Sequence, residues 1–270
     1  MRYFIACVTI YKLKFRRYKM LIRLVAGIVT VIMFVGCSNK ISVGVAHAKT
    51  EQGFINTSQT PIGTLYVVDT NLTEKKFWRE TEINTTTDKA TPTQGEHIAS
   101  NIEKGLKVDF DSGDLMSKLS KEAKANIGLK VLNSTKVILK NYKTNRFRSS
   151  YTALNSSENM DVRKQISEQY GVSPRYKYVL VSGVWEADEA NITVGYKPEN
   201  NKFTISLKNT ALVDASVTNN KGISIKGKNV PVLFNVDIFK LERSNGATGY
   251  RFVRDNSCKA NLTDLFNSLN

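Results

Sequence analysis

Phe203-Thr-Ile-Ser-Leu207 alternates apolar and hydroxyl-bearing side chains, and a period of two sorts them onto the two faces of an extended chain. The same period returns at 137–147, 178–185, 192–196, 223–226, 232–241 and 250–253, and Thr64-Leu-Tyr-Val-Val-Asp69 reads as a first strand. A chain written this way has to build a sheet and bury one face of it. The helix signals are fewer and shorter. A helix or turn is expected at 74–82, carrying Phe77 and Trp78. Thr93 and Glu96 have capping-box spacing, Ile98 and Ile102 lie one turn apart and Gly105 follows, so 94–104 is expected to be helical, with a strand at 106–110. Asp114 is expected to open a second helix with Leu115, Leu119, Ala123 and Ile127 on one face and Gly128 as its terminator. A third, 158–170, stacks Val162, Ile166 and Tyr170 before Gly171, and a C-terminal helix, 262–269, groups Leu262, Leu265, Phe266 and Leu269. Runs of strands with segregated short helices predict an α+β fold on a mostly antiparallel sheet.

The 270 residues are 41% hydrophobic and 23% charged with five prolines, which is globular composition. A net charge of +15 suggests nucleic acid until its location is considered, because residues 1–36 hold seven Lys or Arg and no acid. Removing those seven from 39 leaves 32 basic against 24 acidic residues, a net +8 spread along the chain. That favours anionic surfaces such as lipid headgroups, lipopolysaccharide or cell-wall polymer.

Residues 24–36 are an uncharged apolar run preceded by Lys19 and Arg23, the plan of a signal peptide and shorter than the roughly 20 residues of a spanning helix. The run ends in Phe34-Val35-Gly36-Cys37, which resembles the lipobox of bacterial lipoprotein precursors, although Phe34 stands where Leu is usual. The resemblance implies cleavage before Cys37, recognition through Phe34, Val35 and Gly36, and acylation of the Cys37 sulfur. Two alternatives stay open: cleavage after Ala46-His47-Ala48, releasing a product that begins at Lys49, or retention of the run as an anchor with Lys12, Lys14, Arg16, Arg17 and Lys19 inside. Translation from Met20 would give a compact signal, and Ser38, in place of Asp, favours the outer membrane. Residues 37–60, polar and without period, are expected to be the lipidated cysteine and a flexible tether reaching roughly a few tens of ångströms. Residues 61–270 are expected to form one domain.

Chemistry-bearing patterns are thin. The two histidines are His47, in the expected tether, and His97, beside Glu96, which reads as a solvated helix residue more readily than a general base. Asp109, Asp111 and Asp114 suggest a calcium loop, but Gly113 and Ser120 stand where further oxygen ligands belong, so no metal or cofactor is expected. Glu186, Asp188 and Glu189 read as a solvated hairpin connection. Lys136, Lys140, Lys143, Arg146 and Arg148, interleaved with Tyr142 and Phe147, form the densest basic stretch. In an exported protein they point to anionic lipid or glycan and away from nucleic acid. Cys258 would be the remaining thiol of the mature chain, a buried bystander or the link of a dimer.

The strand pattern of 178–185 together with the later strands to Leu241 is similar to the late strands of gasdermin pore-forming domains, which implies membrane attack as one function class. The leading expectation is a non-enzymatic binding or assembly module on the envelope, with an envelope protein or an anionic polymer as partner. A cell-wall enzyme is the third class.

Overall fold

The computed structural model describes residues 39–70, 76–86, 88–111, 113–197, 204–208, 215–218, 222–245 and 249–255, and the positions Leu262 and Phe266. The lipobox, Cys37, Ser38 and Cys258 lie outside them, as does most of the expected C-terminal helix. Leu262 and Phe266 are helical and buried.

Most of the described chain is antiparallel strand with a few short helices, broadly α+β as the periodicity implies. The strands are β1 Lys40–Gly44, β2 Lys49–Thr50, β3 Phe54–Ile55, β4 Thr64–Asp69, β5 Lys76–Glu82, β6 Thr93–Lys104 and β7 Lys107–Phe110. Helices α1 Asp114–Ser117 and α2 Lys121–Ser134 follow, then β8 Thr135–Arg146, α3 Ser150–Asn155 and α4 Met160–Tyr170. The remaining described strands are β9 Tyr176–Val194, β10 Thr204–Lys208, β11 Ala215–Thr218, β12 Gly222–Arg243 and β13 Tyr250–Arg254.

Two long strands, β9 and β12, pair over most of their length and belong to two different layers. In their outer reach the sheet closes on itself as a six-stranded barrel, β12-β3-β2-β6-β8-β9 and back to β12. Its interior is filled by Val137, Leu139, Ile192, Ile223, Ile225 and their neighbours. The small sheet β10-β1-β7 packs onto the same cluster through Ile41, Val43 and Ile205, and α1 and α2 add Met116 and Val131. In their other reach β9 and β12 join β4, β5 and β13 in a sheet buried on both faces. Along Tyr178-Val-Leu-Val181, Tyr178 and Leu180 enter a core under α3 and α4, whereas Val179 and Val181 enter one covered by Leu262 and Phe266.

Several expectations are corrected. The expected tether is folded: β1 lies between β7 and β10, Ile41, Val43, Val45 and Ile55 are fully buried, and the hairpin β2-β3 closes the barrel. Residues 94–104 are strand β6, because Ile98 and Ile102 are four apart and satisfy a period of two as well as a helical turn; Ser100 between them is also buried. Residues 76–82 of the expected helix or turn are strand β5 against β4. Ser120, not Asp114, caps the longer helix, its Oγ accepting from Ala123 N–H at 3.1 Å, and Gly128 sits inside that helix with open space around it. The acidic group 186–189 is not a turn, since strand β9 continues through it.

Candidate functional site

The pairing of β9 with β12 shifts register at three places, and two of them shape the surface. Around Asp188 the inward sequence changes phase: Ala187 and Ala190, three apart, both face the barrel core, while Gly227 to Asn229 on β12 stand opposite Asp188 alone. Asn141 on β8 and Asn229 on β12 take positive φ there (49° and 54°), which Asn tolerates better than most residues, and Asp188 Oδ1 accepts from Asn229 N–H at 3.4 Å. A second irregularity lies where barrel becomes sandwich, opposite Ser182 and Gly183, between Asn235 and Val236. Ser182 turns its carbonyl to Phe147 N–H at 3.1 Å instead of to β12.

Two crevices open at this second bend, and Asn235 lines both. The larger, about 380 Å³, runs along the β2-β3 hairpin past Lys49, Glu51, Lys104 and Asp237 to Leu262. Charges there are already engaged: Lys49 binds Glu103, Glu51 accepts from Asn101 at 3.0 Å, and Asp237 accepts from Ser150. The smaller, about 240 Å³, is the mouth of the barrel, with Tyr142, Asn145 and Arg146 from β8 and Gly183 and Trp185 from β9. Thr144 fastens its rim, exchanging hydrogen bonds at 3.3 Å with the Thr93 backbone.

The two aromatic rings at the mouth are set by their neighbours. Trp185 and Tyr142 lie 5.4 Å apart, tilted by 42°, each partly buried against the barrel core. Gly95 on β6 makes room for this pair, because a side chain there would collide with the Tyr142 ring. Gly183 does the same for Arg146, whose Cβ would come within 3.2 Å of a Cβ at 183. Among the described residues, the Arg146 guanidinium, the Asn145 and Asn235 amides and the Trp185 indole N–H have no protein hydrogen-bond or ion-pair partner. No carboxylate lines this crevice.

The structure separates the five basic residues of the sequence. Lys136 and Lys140 are exposed on the outer face of the barrel, and Lys140 is held by Glu189 at 3.0 Å. That carboxyl also accepts from Asn191, and together the two bonds lower its pKa. Lys143 follows the Asn141 kink opposite Glu186, Arg146 reaches the mouth, and Arg148 is exposed beyond the strand. His97 is exposed opposite Lys140 on the same outer face. Asp109 pairs with Ser42 across β7 and β1, and Asp111 gives its N–H to the Lys40 carbonyl. Among the described residues no group of three His, Cys, Asp or Glu is placed to hold a metal.

Sequence reasoning missed Trp185, Asn145 and Asn235 as a group, because they lie on three strand segments that only the fold brings together. One local signal was present. Gly183 interrupts an otherwise apolar strand, which marks a bulge or a close approach. The other histidine, His47, is buried between Phe234 and Phe266, with ring centroids 6.1 and 5.7 Å away, and burial lowers its pKa to about 4.

Neither a known family model nor a curated protein matches the sequence. A solved bacterial gasdermin from Bradyrhizobium tropiciagri is a distant structural neighbour, with a TM-score of 0.32 at 8% identity over 72% of this chain and 82% of that one. Among the described residues no helix is long and apolar enough to cross a membrane.

Proposed function

We propose that this chain is an envelope lipoprotein, anchored in the outer membrane through lipid on Cys37, whose domain works as a binding module without catalysis. The observation that supports it is the barrel mouth, where an aromatic pair and four uncommitted polar side chains converge on one crevice. Asn145 and Trp185 are half-buried, where polar groups normally have partners, and the exposed Arg146 and Asn235 stand beside them on a rigid barrel, which together make a surface suited to a ligand. Barrel strands hold such groups more firmly than a loop would.

The folded tether changes what the anchor does. Lys40, the first strand residue, follows Cys37 by three positions, at most about 11 Å of chain. A domain on so short a leash rides against the headgroups, and only material at the membrane surface comes within its reach.

Two measurements test the reading. Cys37→Ser should release the protein from the membrane fraction; a variant still membrane-bound would overturn the lipid anchor. In parallel, lipidated wild-type and Trp185→Ala proteins are used to capture components from native membranes. Wild type should enrich a component that the variant, folded normally by circular dichroism, does not. Equal capture by both would overturn the barrel mouth as the binding surface.

A further inference from the structure

The mouth also restricts the chemistry of what it binds, on the reading that it is the binding surface. Trp185 and Tyr142 offer an amphipathic aromatic platform, suited to a ligand with one flat C–H face and hydroxyls around its edge. Asn145 presents an amide that both donates and accepts, as a ring hydroxyl requires, while Asn235, shared with the adjoining crevice, holds its Oδ1 beside Gly53. Arg146 adds a cation with no carboxylate in the crevice to neutralise it, and a guanidinium matches a carboxylate or phosphate with two parallel hydrogen bonds.

The strand arrangement argues against a peptide. Beside the crevice β8 is paired on both sides, to β6 and β9, and β9 is paired to β8 and β12. Their backbone is committed, so an extended peptide has no edge of β8 or β9 to join there. At about 240 Å³ the crevice is smaller than the roughly 300–1,000 Å³ that encloses a drug-sized molecule, which suits one ring unit. The adjoining crevice at Asn235 leaves room for the next unit of a chain.

We infer that the barrel mouth binds an acidic saccharide unit of an envelope polysaccharide: the ring stacks on Trp185, the Asn145 amide reads its hydroxyls, and Arg146 pairs with its carboxylate or phosphate.

The test uses the full lipid-bearing chain in detergent micelles and follows tryptophan fluorescence. The probes are a galacturonic acid trimer, a neutral galactose trimer, and a phosphorylated core oligosaccharide freed of its lipid. At least one acidic probe should give a saturable change that the neutral trimer does not give at the same concentration. The carboxylate and phosphate arms decide which anion is read. Arg146→Gln should weaken binding by roughly ten- to a hundredfold, whereas Lys143→Gln should leave it within about twofold. Binding is read for Trp185→Phe and Trp185→Ala by calorimetry, the first keeping part of the affinity and the second losing it. Equal binding of the neutral trimer, an unaltered Arg146→Gln, or no saturable binding of any probe would overturn the saccharide assignment. If wild type still captures a membrane component that Trp185→Ala loses while no saccharide binds, the binding module stands and the ligand class falls. If the two proteins capture alike, the module reading falls with it.

Discussion

Strand β9 passes through two environments, and its residues change accordingly. In the sandwich, Tyr178 to Val181 are all buried, alternate residues serving cores on opposite faces. In the barrel, Ala190, Ile192 and Val194 are buried while Asn191 and Thr193 between them are only half-buried. A layer covered on both sides needs a continuous apolar run, and a closed barrel with a wetted outside needs alternation. One strand carries both patterns, so the junction has to absorb the change, and it does so with Gly183, Ser182 and the irregular pairing at Asn235. That junction is where the crevices open. The open polar groups of the mouth therefore lie where neither packing rule holds fully.

The sharpest way to break this contrast is to remove a large side chain from the doubly covered layer. Phe252 is fully buried, packed against Tyr178 at 5.2 Å and Phe239 at 6.4 Å. Phe252→Ala should cost about 3–5 kcal/mol in urea denaturation, since it removes transfer energy and leaves a cavity under α4. A loss below about 1 kcal/mol would mean that this half can collapse around the gap, unlike a close-packed layer.

Acid should act next, at the seam. His47 lies between Val45 and Ala48, whose neighbourhood belongs to the barrel core, while its ring rests on Phe234 and Phe266 of the sandwich. Burial lowers its pKa from 6.5 to about 4, so the folded state holds it neutral and the unfolded chain binds the extra proton between those values. The stability from this group is full above about pH 6.5 and is lost as pH falls toward 4, by roughly 3 kcal/mol in all. Melting temperatures from pH 7 to 4.5 should fall more steeply for wild type than for His47→Leu, whose carboxylates still titrate. Parallel curves would show that the ring is not the acid-sensitive group.

What could be read from the sequence follows the same division. Thr64–Asp69 is legible to the residue because every position is apolar or β-branched except its end, and its partners do not affect the pattern. Residues 160–170 are legible because a helix carries its period locally. β1 was hidden: Ile41, Val43 and Val45 alternate correctly, but the surroundings are polar and the partners of β1 lie about 65 and 160 residues further along. β6 was misread because two isoleucines four apart fit both periods. The mouth was invisible for a related reason. Its basic member, Arg146, was visible in a charge run, but the run mixes it with Lys140, which the fold gives to Glu189.

A smaller effect is expected at the barrel's covering helix. Ser120 caps α2, which presses Val131 into the barrel core, so Ser120→Ala should cost about 1 kcal/mol. Amide exchange would place the loss within α2. Ser120→Asp should restore most of it, because the carboxylate accepts the same Ala123 N–H and complements the helix N-terminus. Failure of the Asp rescue would mean that the serine matters for packing and not as an acceptor.

The least sensitive place should be the barrel's outer face, and this completes the contrast with Phe252. Lys140 is about half exposed and its partner Glu189 about a quarter exposed, at 47% and 27%, so water screens the pair and holding a long side chain in place costs entropy. Lys140→Gln should change stability by less than about 0.5 kcal/mol, within the range of ordinary surface substitutions. Glu189 keeps its bond from Asn191, which limits the cost of the lost lysine. Salt decides between the outcomes: a screened pair gives wild type and variant the same dependence of unfolding on ionic strength. A variant that loses 2 kcal/mol or more would show that Lys140 and Glu189 help to hold the Asn141–Asp188 kink, and the outer face would then belong with the sandwich among the parts that the fold cannot spare.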